Sequence, residues 1–558
     1  MKAFAFWFVA MLLAAQGRDA PTVVPARFVD VTAAKGIHFK QEASVTAKKY
    51  LLEAMGSGVA AFDYDNDGRL DLFFANGAQL DENMAKDAIP QKTAPKYWNR
   101  LYHQKSDGTF EDVTEKSGLK GIGYSTGVAV GDFDNDGLED LFVAGYGRNT
   151  LYHNNGNGTF TDVTDKAGIG GGGWSTSAAW VDLDRDGKLD LVVARYLDWH
   201  FDDLYCGERQ EGFRAYCHPD LFKPVKPLVY HNNGNGTFTE VADKIGMNKP
   251  AKGLGVAFAD YDGEGWPDVF IANDSVAESL YHNNGNGTFE EVAGPSQVGF
   301  DVDGRTYAGM GVDFTDYNND GKPDLIITNL ANQMYALYLN MGDGSFDYTT
   351  NSSGLGAITL LHSGWGVKFL DYENDGWKDV FLAQSHVLDT VEKNYAHLHY
   401  RESPLLLHND RNGKFSDISA QSGAVFQEKW ASRGLAVGDF ANDGKVSVVI
   451  STNDGPAYFL QNQTESKNHW IALRLQGHKS NRDGIGAVVK VTTASGSQWD
   501  TVTTAGSYES SSDRRVHFGL GGNEVTQAIE IRWPSGIIQK LADVKGDRIL
   551  DVVEPDAK

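Results

Sequence analysis

Apolar and polar positions follow one recurring arrangement along most of this chain. The apolar run Val59-Ala60-Ala61-Phe62 leads into the acidic stretch Asp63-Tyr64-Asp65-Asn66-Asp67-Gly68-Arg69-Leu70-Asp71, and a second apolar run, Leu72-Phe73-Phe74-Ala75, follows. Short apolar runs flanking a glycine-containing polar segment predict a strand, loop, strand hairpin rather than a pair of helices. Variants of the acidic stretch begin at Asp132, Asp182, Asp260, Asp316, Asp371 and Asp439, at spacings of 50 to 78 residues. Each unit opens with a further strand, starting at Phe28, Phe110, Phe160, Phe238, Phe289, Phe346 or Phe415, and closes with one such as Leu101-Tyr102-His103.

Asn-Gly turns such as Asn154-Asn155-Gly156-Asn157-Gly158 join the third strand of one unit to the opening strand of the next. They are strong hairpin signals, so each blade straddles a unit boundary. Four strands per unit at this period predict an all-β chain built on a seven-bladed β-propeller over residues 28–462. Phe28-Val29-Asp30-Val31 lacks a preceding partner and Tyr458-Phe459-Leu460 a following one, so the two are expected to pair and close the ring. Asn157-Gly158-Thr159, Asn235-Gly236-Thr237 and Asn286-Gly287-Thr288 match a glycosylation sequon but read first as turns.

The acidic loops bring in chemistry. Carboxylates at loop positions 1, 3, 5 and 9, with a carbonyl at position 7, form an oxygen cage suited to calcium. An EF-hand starts in the same way but needs a Glu at position 12, where this chain has Phe74 and Val143. The expected ligands are Asp63, Asp65, Asp67, Arg69 (carbonyl) and Asp71 in loop one, and Asp132, Asp134, Asp136, Leu138 (carbonyl) and Asp140 in loop two. Loop three offers Asp182, Asp184, Asp186, Lys188 (carbonyl) and Asp190; loop four offers Asp260, Asp262, Glu264, Trp266 (carbonyl) and Asp268. Loop five offers Asp316, Asn318, Asp320, Lys322 (carbonyl) and Asp324; loop six offers Asp371, Glu373, Asp375, Trp377 (carbonyl) and Asp379. Loop seven, from Asp439, has Ala441 at position 3 and Ser447 at position 9 and is not expected to hold calcium. About six sites are therefore expected.

The net charge of -25 disfavours nucleic acid, and it is concentrated in these loops. With 63 Gly and 15 Pro in 558 residues, the chain is turn-rich and long enough for a second domain. Residues 1–17 resemble a signal peptide: Met1-Lys2, the apolar run Ala3 to Ala15, and Ala15-Gln16-Gly17 as a cleavage signature. The apolar run is too short to span a bilayer, so a secreted or periplasmic product is expected.

Two insertions interrupt the rhythm, Ala78 to Asn99 and Arg195 to Leu228. The second is rich in aromatics and holds Cys206 and Cys217, expected to form a disulfide in an exported protein and to stabilise it by roughly 3 kcal/mol. Such a loop is either a binding element or a structural cover. A third excursion carries His386, His397, His399, Glu392 and Glu402; a metal or acid/base role is conceivable there, and surface or packing histidines are the plainer reading. The histidines of Tyr102-His103, Tyr152-His153, Tyr230-His231 and Tyr281-His282 suggest either a metal array or blade packing, and blade packing is preferred because they sit at one equivalent position in separate blades; Trp174, Trp199, Trp365 and Trp430 read as core before ligand platforms.

After Asn462 the acidic loops stop. Residues 463–468 read as a linker and 469–556 as a small β-sandwich-like domain, with strands at Trp470 to Leu475, Ala487 to Thr492, Ala528 to Trp533 and Ile549 to Val553. The acidic loops resemble FG-GAP or VCBS repeats. The tail resembles the ASPIC/UnbV domain through Gly484-Ile485-Gly486-Ala487-Val488-Val489, Gly506-Ser507-Tyr508-Glu509-Ser510, His517-Phe518-Gly519-Leu520-Gly521 and Trp533-Pro534-Ser535-Gly536. Together these motifs are similar to the cartilage acidic protein 1-like family and its bacterial-type relatives. The resemblance implies an extracellular calcium-bound propeller used for adhesion or ligand binding, with a glycan, matrix or surface protein as partner. The alternative is a polysaccharide-active lyase or hydrolase on the same scaffold. No Gly-x-Ser-x-Gly or His-Glu-x-x-His motif is present, Gly123-Tyr124-Ser125-Thr126-Gly127 reads as an inner strand, and no catalytic residue is assigned.

Overall fold

A computed structural model describes residues 24–202 and 204–556, so the expected signal peptide lies outside the described residues. Seven four-stranded antiparallel sheets follow one another along the described chain from Phe28 to Asn462. Blade one comprises Val59–Phe62, Asp71–Phe74, Arg100–Gln104 and Phe110–Asp112, with each acidic loop joining the first two strands of its sheet. In the seventh sheet Phe28–Asp30 pairs with Tyr458–Asn462, Phe28 opposite Asn462, which closes the ring through the two strands that lacked partners in the sequence.

Hydrogen bonds from the first or second strand of one blade, or the residue that follows it, reach the innermost strand of the next or a residue leading into it. The Thr126 hydroxyl donates to the Ser175 carbonyl, Thr176 to Gly253, Thr328 to Trp365, Ser385 to Ser432 and Ser451 to Ser57. Small residues are required there. At Gly311 a Cβ would lie 1.9 Å from the Trp365 carbonyl oxygen, so only glycine allows the neighbouring inner strand so close.

The tail forms two packed sheets. One orders Gly496–Thr501, Val488–Thr493, Val525–Arg532 and Ile538–Lys545; the other places His469–Gln476 between Val516–Gly521 and a parallel Arg548–Val553. Val489, Val491, Ile529 and Ile531 from the first sheet meet Ile471, Leu473 and Phe518 from the second in a buried core. The sequence reading placed four of these strands. It missed Gly496–Thr501, Val516–Gly521 and Ile538–Lys545, the last of which has no fully buried residue and so carries little apolar signal.

Between Thr501 and Val516 the tail sends a loop into the centre of the ring. The Val128 amide donates to the Glu509 carbonyl, the Ser511 amide to Val59, the Ser507 amide to Val312 and the Asp513 amide to Val437, so one loop binds inner strands from four blades. Tyr508 is fully buried, donates to the Met55 carbonyl and stacks edge-on against Trp365 at 4.8 Å. Gly58 makes room for it: a Cβ there would lie 1.5 Å from the Glu509 carbonyl oxygen.

The opposite end of the channel is covered by aromatic side chains. Trp199 and Phe201 of the Arg195 to Leu228 insertion pack on Trp174, Tyr146 and Tyr50, and the Cys206–Cys217 disulfide lies in the same excursion. Trp174, Trp199, Trp365 and Trp430 are all buried. Among the described residues, no helix is long and apolar enough to cross a membrane.

Candidate metal centres

Each acidic loop is shaped by its first carboxylate. In loop two, Asp132 Oδ1 accepts from the Asp136 amide at 3.0 Å and Oδ2 from the Gly137 amide at 2.7 Å. The turn needs left-handed backbone at positions 4 and 6, supplied there by Asn135 (φ 60°) and Gly137 (φ 91°). The position 9 carboxylate sits at the start of the second strand and ties the loop down. Asp140 Oδ2 accepts from the Phe133 amide at 3.1 Å, and Oδ1 from the Asn154 amide at 2.7 Å. At position 7, the amides of Arg69, Leu138, Lys188, Lys322 and Trp377 donate to the position 5 carboxylate of their own loops.

The asparagine that closes the third strand links neighbouring blades. Asn154 Nδ2 donates to the Tyr64 carbonyl in the preceding loop, and Asn232, Asn283, Asn340, Asn409 and Asn462 repeat the contact with Phe133, Leu183, Tyr261, Tyr317 and Tyr372. Gln104 reaches Phe440 and completes the circuit. These residues were not among those expected from the sequence, where the signal is an Asn at the same register in six units.

The histidine beside that asparagine faces the acidic loop, which corrects the blade-packing expectation. His103 Nδ1 lies 3.4 Å from Asp65 Oδ2 and 3.2 Å from Asp71 Oδ1. His153, His231 and His282 occupy the same place, as does His408, which the sequence reading did not single out. The side chain alternates across a strand from the buried Tyr before it, and the sheet edge directs it over positions 3 and 9.

Burial sets the electrostatics. Removal from water pushes Asp71 up to about 7, Asp132 to about 8 and Asp268 to about 9, with nearby carboxylates adding to the rise. The close approach of Asp71, Asp140 and Asp190 raises His103, His153 and His231, the last through a hydrogen bond. Asp260 Oδ1, Asp324 Oδ2 and Glu373 Oε2 are buried without a hydrogen-bond partner. Clustered, desolvated oxygen donors with unmet valence fit a hard divalent cation, and the acidic groups of these loops could hold a metal ion.

The His386 excursion gathers no comparable site. His386 is buried, its Nδ1 accepts from the Leu388 amide, and burial with the nearby Arg433 charge pushes it down to about 4. Glu402 instead pairs with His362 at 2.6 Å, His399 stands 3.9 Å from Glu392, and His397 packs beside Tyr395.

Comparison with known proteins agrees with this architecture. The model of the FG-GAP-like repeat matches residues 63–143, 132–193, 221–271, 260–327 and 316–382, more than half of the chain, and that of ASPIC and UnbV matches residues 477–558. Cartilage acidic protein 1 of Xenopus tropicalis is 27% identical over 327 residues, covering 57% of this chain and 47% of the relative. The Homo sapiens protein of that name is 24% identical over 322 residues, covering 57% and 46%. The chain thus matches about half the length of these curated relatives. Among solved structures, an Agrocybe aegerita lectin recognising non-reducing terminal N-acetylglucosamine aligns at a TM-score of 0.38 and 15% identity, over 72% of this chain and 87% of that one. A Bacillus licheniformis rhamnogalacturonan lyase aligns at 0.32 and 13%, over 90% and 91%.

Proposed function

Because this chain belongs to the FG-GAP-like repeat family and carries an ASPIC and UnbV domain, we propose that it is an exported, calcium-stabilised module that binds an extracellular glycan, matrix or surface protein. The observation that carries the reading is the ring of acidic loops, each with buried carboxylates that need a counter-charge and each tied to its neighbour by an Asn or Gln side chain. Calcium would be held by the side chains at positions 1, 3, 5 and 9 and the carbonyl at position 7 of loops one to six, and when bound it would neutralise those carboxylates. The protein's own part is to hold each loop in shape through the position 1 carboxylate and to transmit that order around the ring through the Asn links. The Cys206–Cys217 disulfide supports residence in an oxidising compartment.

The test is to incubate the calcium-loaded protein with immobilised polysaccharides and matrix proteins, recording retention and newly formed chain ends. Retention that is lost in chelator and produces no new ends is the expected result. New ends abolished by chelator would replace the binding module with a polysaccharide-active enzyme.

A further inference from the structure

Where the tail rests on the propeller it leaves a crevice. A cavity of about 370 Å³ opens between the tail and loops four and five, within the range of roughly 300–1,000 Å³ typical of small-ligand sites. Lys322, Lys490, Trp499, Asp500, Glu530 and Arg532 line it. A second cavity of about 230 Å³, walled by Trp266 and Arg185, adjoins it and shares Asp260 and Arg532. Arg532 stands between the two.

Arg532 Nη2 lies 2.5 Å from Asp260 Oδ2, the first carboxylate of loop four, while Asp260 Oδ1 is buried and unpartnered. Lys490 holds its ammonium 4.8 Å from the Trp499 ring. Lys490, Arg532 and Lys322, the last paired with Asp320, therefore meet at one cavity beside an aromatic wall, with the loop carboxylates Asp260, Asp262 and Asp316 on its propeller side; Asp500, paired with Lys378, and Glu530, paired with Lys540, keep further lone pairs as hydrogen-bond acceptors.

We propose that this crevice is the binding site for an acidic oligosaccharide, with Arg532 and Lys490 pairing a sugar carboxylate, Trp499 forming an apolar wall for the ring, and Asp500 and Glu530 accepting from sugar hydroxyls. The proposal rests on the binding-module reading above and gives it a ligand class and a place. A uronate-containing chain suits the lining better than an acidic peptide, because it brings many hydroxyl donors for the carboxylates together with widely spaced anions. An acidic peptide brings successive anions against Asp500 and Glu530. Binding depends on calcium through charge: a cation in loop four shares Asp260, so Arg532 is no longer neutralised by it, and the bare loop carboxylates no longer repel an anion.

The experiment is calorimetric titration of the full chain in calcium with a hyaluronan tetrasaccharide, against neutral chitotetraose and a tetraglutamate peptide. The wild type should bind the hyaluronan probe in preference to both controls and lose it in chelator. Arg532→Gln and Lys490→Gln should each weaken binding about tenfold, the size of one charge-assisted contact. Lys490 makes no ion pair with the propeller, so its variant keeps the test valid if Arg532→Gln loosens the tail, with the melting temperature as the check. Equal affinity in the Lys490 variant, equal binding of either control, or no binding by the wild type overturns the site. Retention on the wider panel that survives both substitutions overturns this site and leaves the binding module standing; loss of all retention on that panel overturns the binding module as well.

Discussion

Loops six and seven are neighbours with the same backbone and opposite chemistry. In loop six, Asp371, Glu373 and Asp379 are each no more than 2% exposed, and burial with mutual repulsion raises all three. His408 Nδ1 approaches Asp379 at 3.2 Å and Glu373 at 3.7 Å, and Glu373 Oε2 has no partner. In loop seven, Ala441 and Ser447 replace two of the carboxylates, yet Asp439 still accepts from Asp443 and Gly444, and Ser447 Oγ still accepts from the Asn462 amide at 3.1 Å. The tail supplies the cation there. Arg515 donates to the Asp439 carbonyl at 2.9 Å and to Asn442 Oδ1 at 2.6 Å while paired with Asp513. The turn is thus made by one Asp, a left-handed residue and a glycine, and the remaining carboxylates are not needed to form it.

The strongest way to break this comparison is to remove the metal. At pH 7.5 chelator should lower the melting temperature by more than about 10 °C, because several occupied sites each contribute a few kcal/mol. Hydrogen exchange should speed in loop six and change least in loop seven; equal changes would end the distinction. The gap should also depend on pH. Carboxyls raised by burial, such as Asp71 at about 7 and Asp268 at about 9, stay protonated in the metal-free fold after the unfolded chain has ionised them, so their stabilising contribution is full only below the ordinary value of 3.8. That contribution declines above pH 3.8 and is gone once pH passes the folded values of about 7 to 9, so melting temperatures in chelator should fall between about pH 4 and 9 while those in calcium stay nearly flat.

Asp379→Ala should come next, costing about 3–5 kcal/mol in calcium by urea unfolding. It removes a ligand and orphans the buried Tyr372 and Asn409 amides. In chelator the cost should shrink, because only the amides are then lost. Arg515→Ala should cost about 2–4 kcal/mol and equally with or without calcium, since it strands buried Asp513 without touching an expected metal site. A loss that disappears in chelator would mean that loop seven does bind calcium. The smallest effect is expected from adding Ala441→Asp and Ser447→Asp together: one extra bound ion by native mass spectrometry, with a shift in melting temperature within a few degrees.

Repeat identity was legible because it is local. The run from Phe62 to Leu72 carries its strands, its turn and its acid spacing within a few residues, and seven copies with two partnerless end strands leave a closed ring as the consistent pairing. The histidines were misread because nothing in the adjoining Tyr-His-Gln or Tyr-His-Asn run points to the acidic loop, while their partners, Asp65 and Asp71 for His103, lie some 30 residues away along the chain. The Asn links were missed for the same reason.

By itself the sequence determined the all-β architecture, the acidic loops, the strand that closes the ring and the pair of cysteines able to cross-link. All of these follow from periodicity, spacing and residue chemistry that act over short range. Only the tertiary structure decided that Tyr508 and Glu509 enter the channel, that Arg515 serves loop seven, and that Arg532 meets Asp260 at the crevice. Those contacts join residues from 76 to 453 positions apart through the docking of one domain on another, and no local pattern encodes which surfaces will meet.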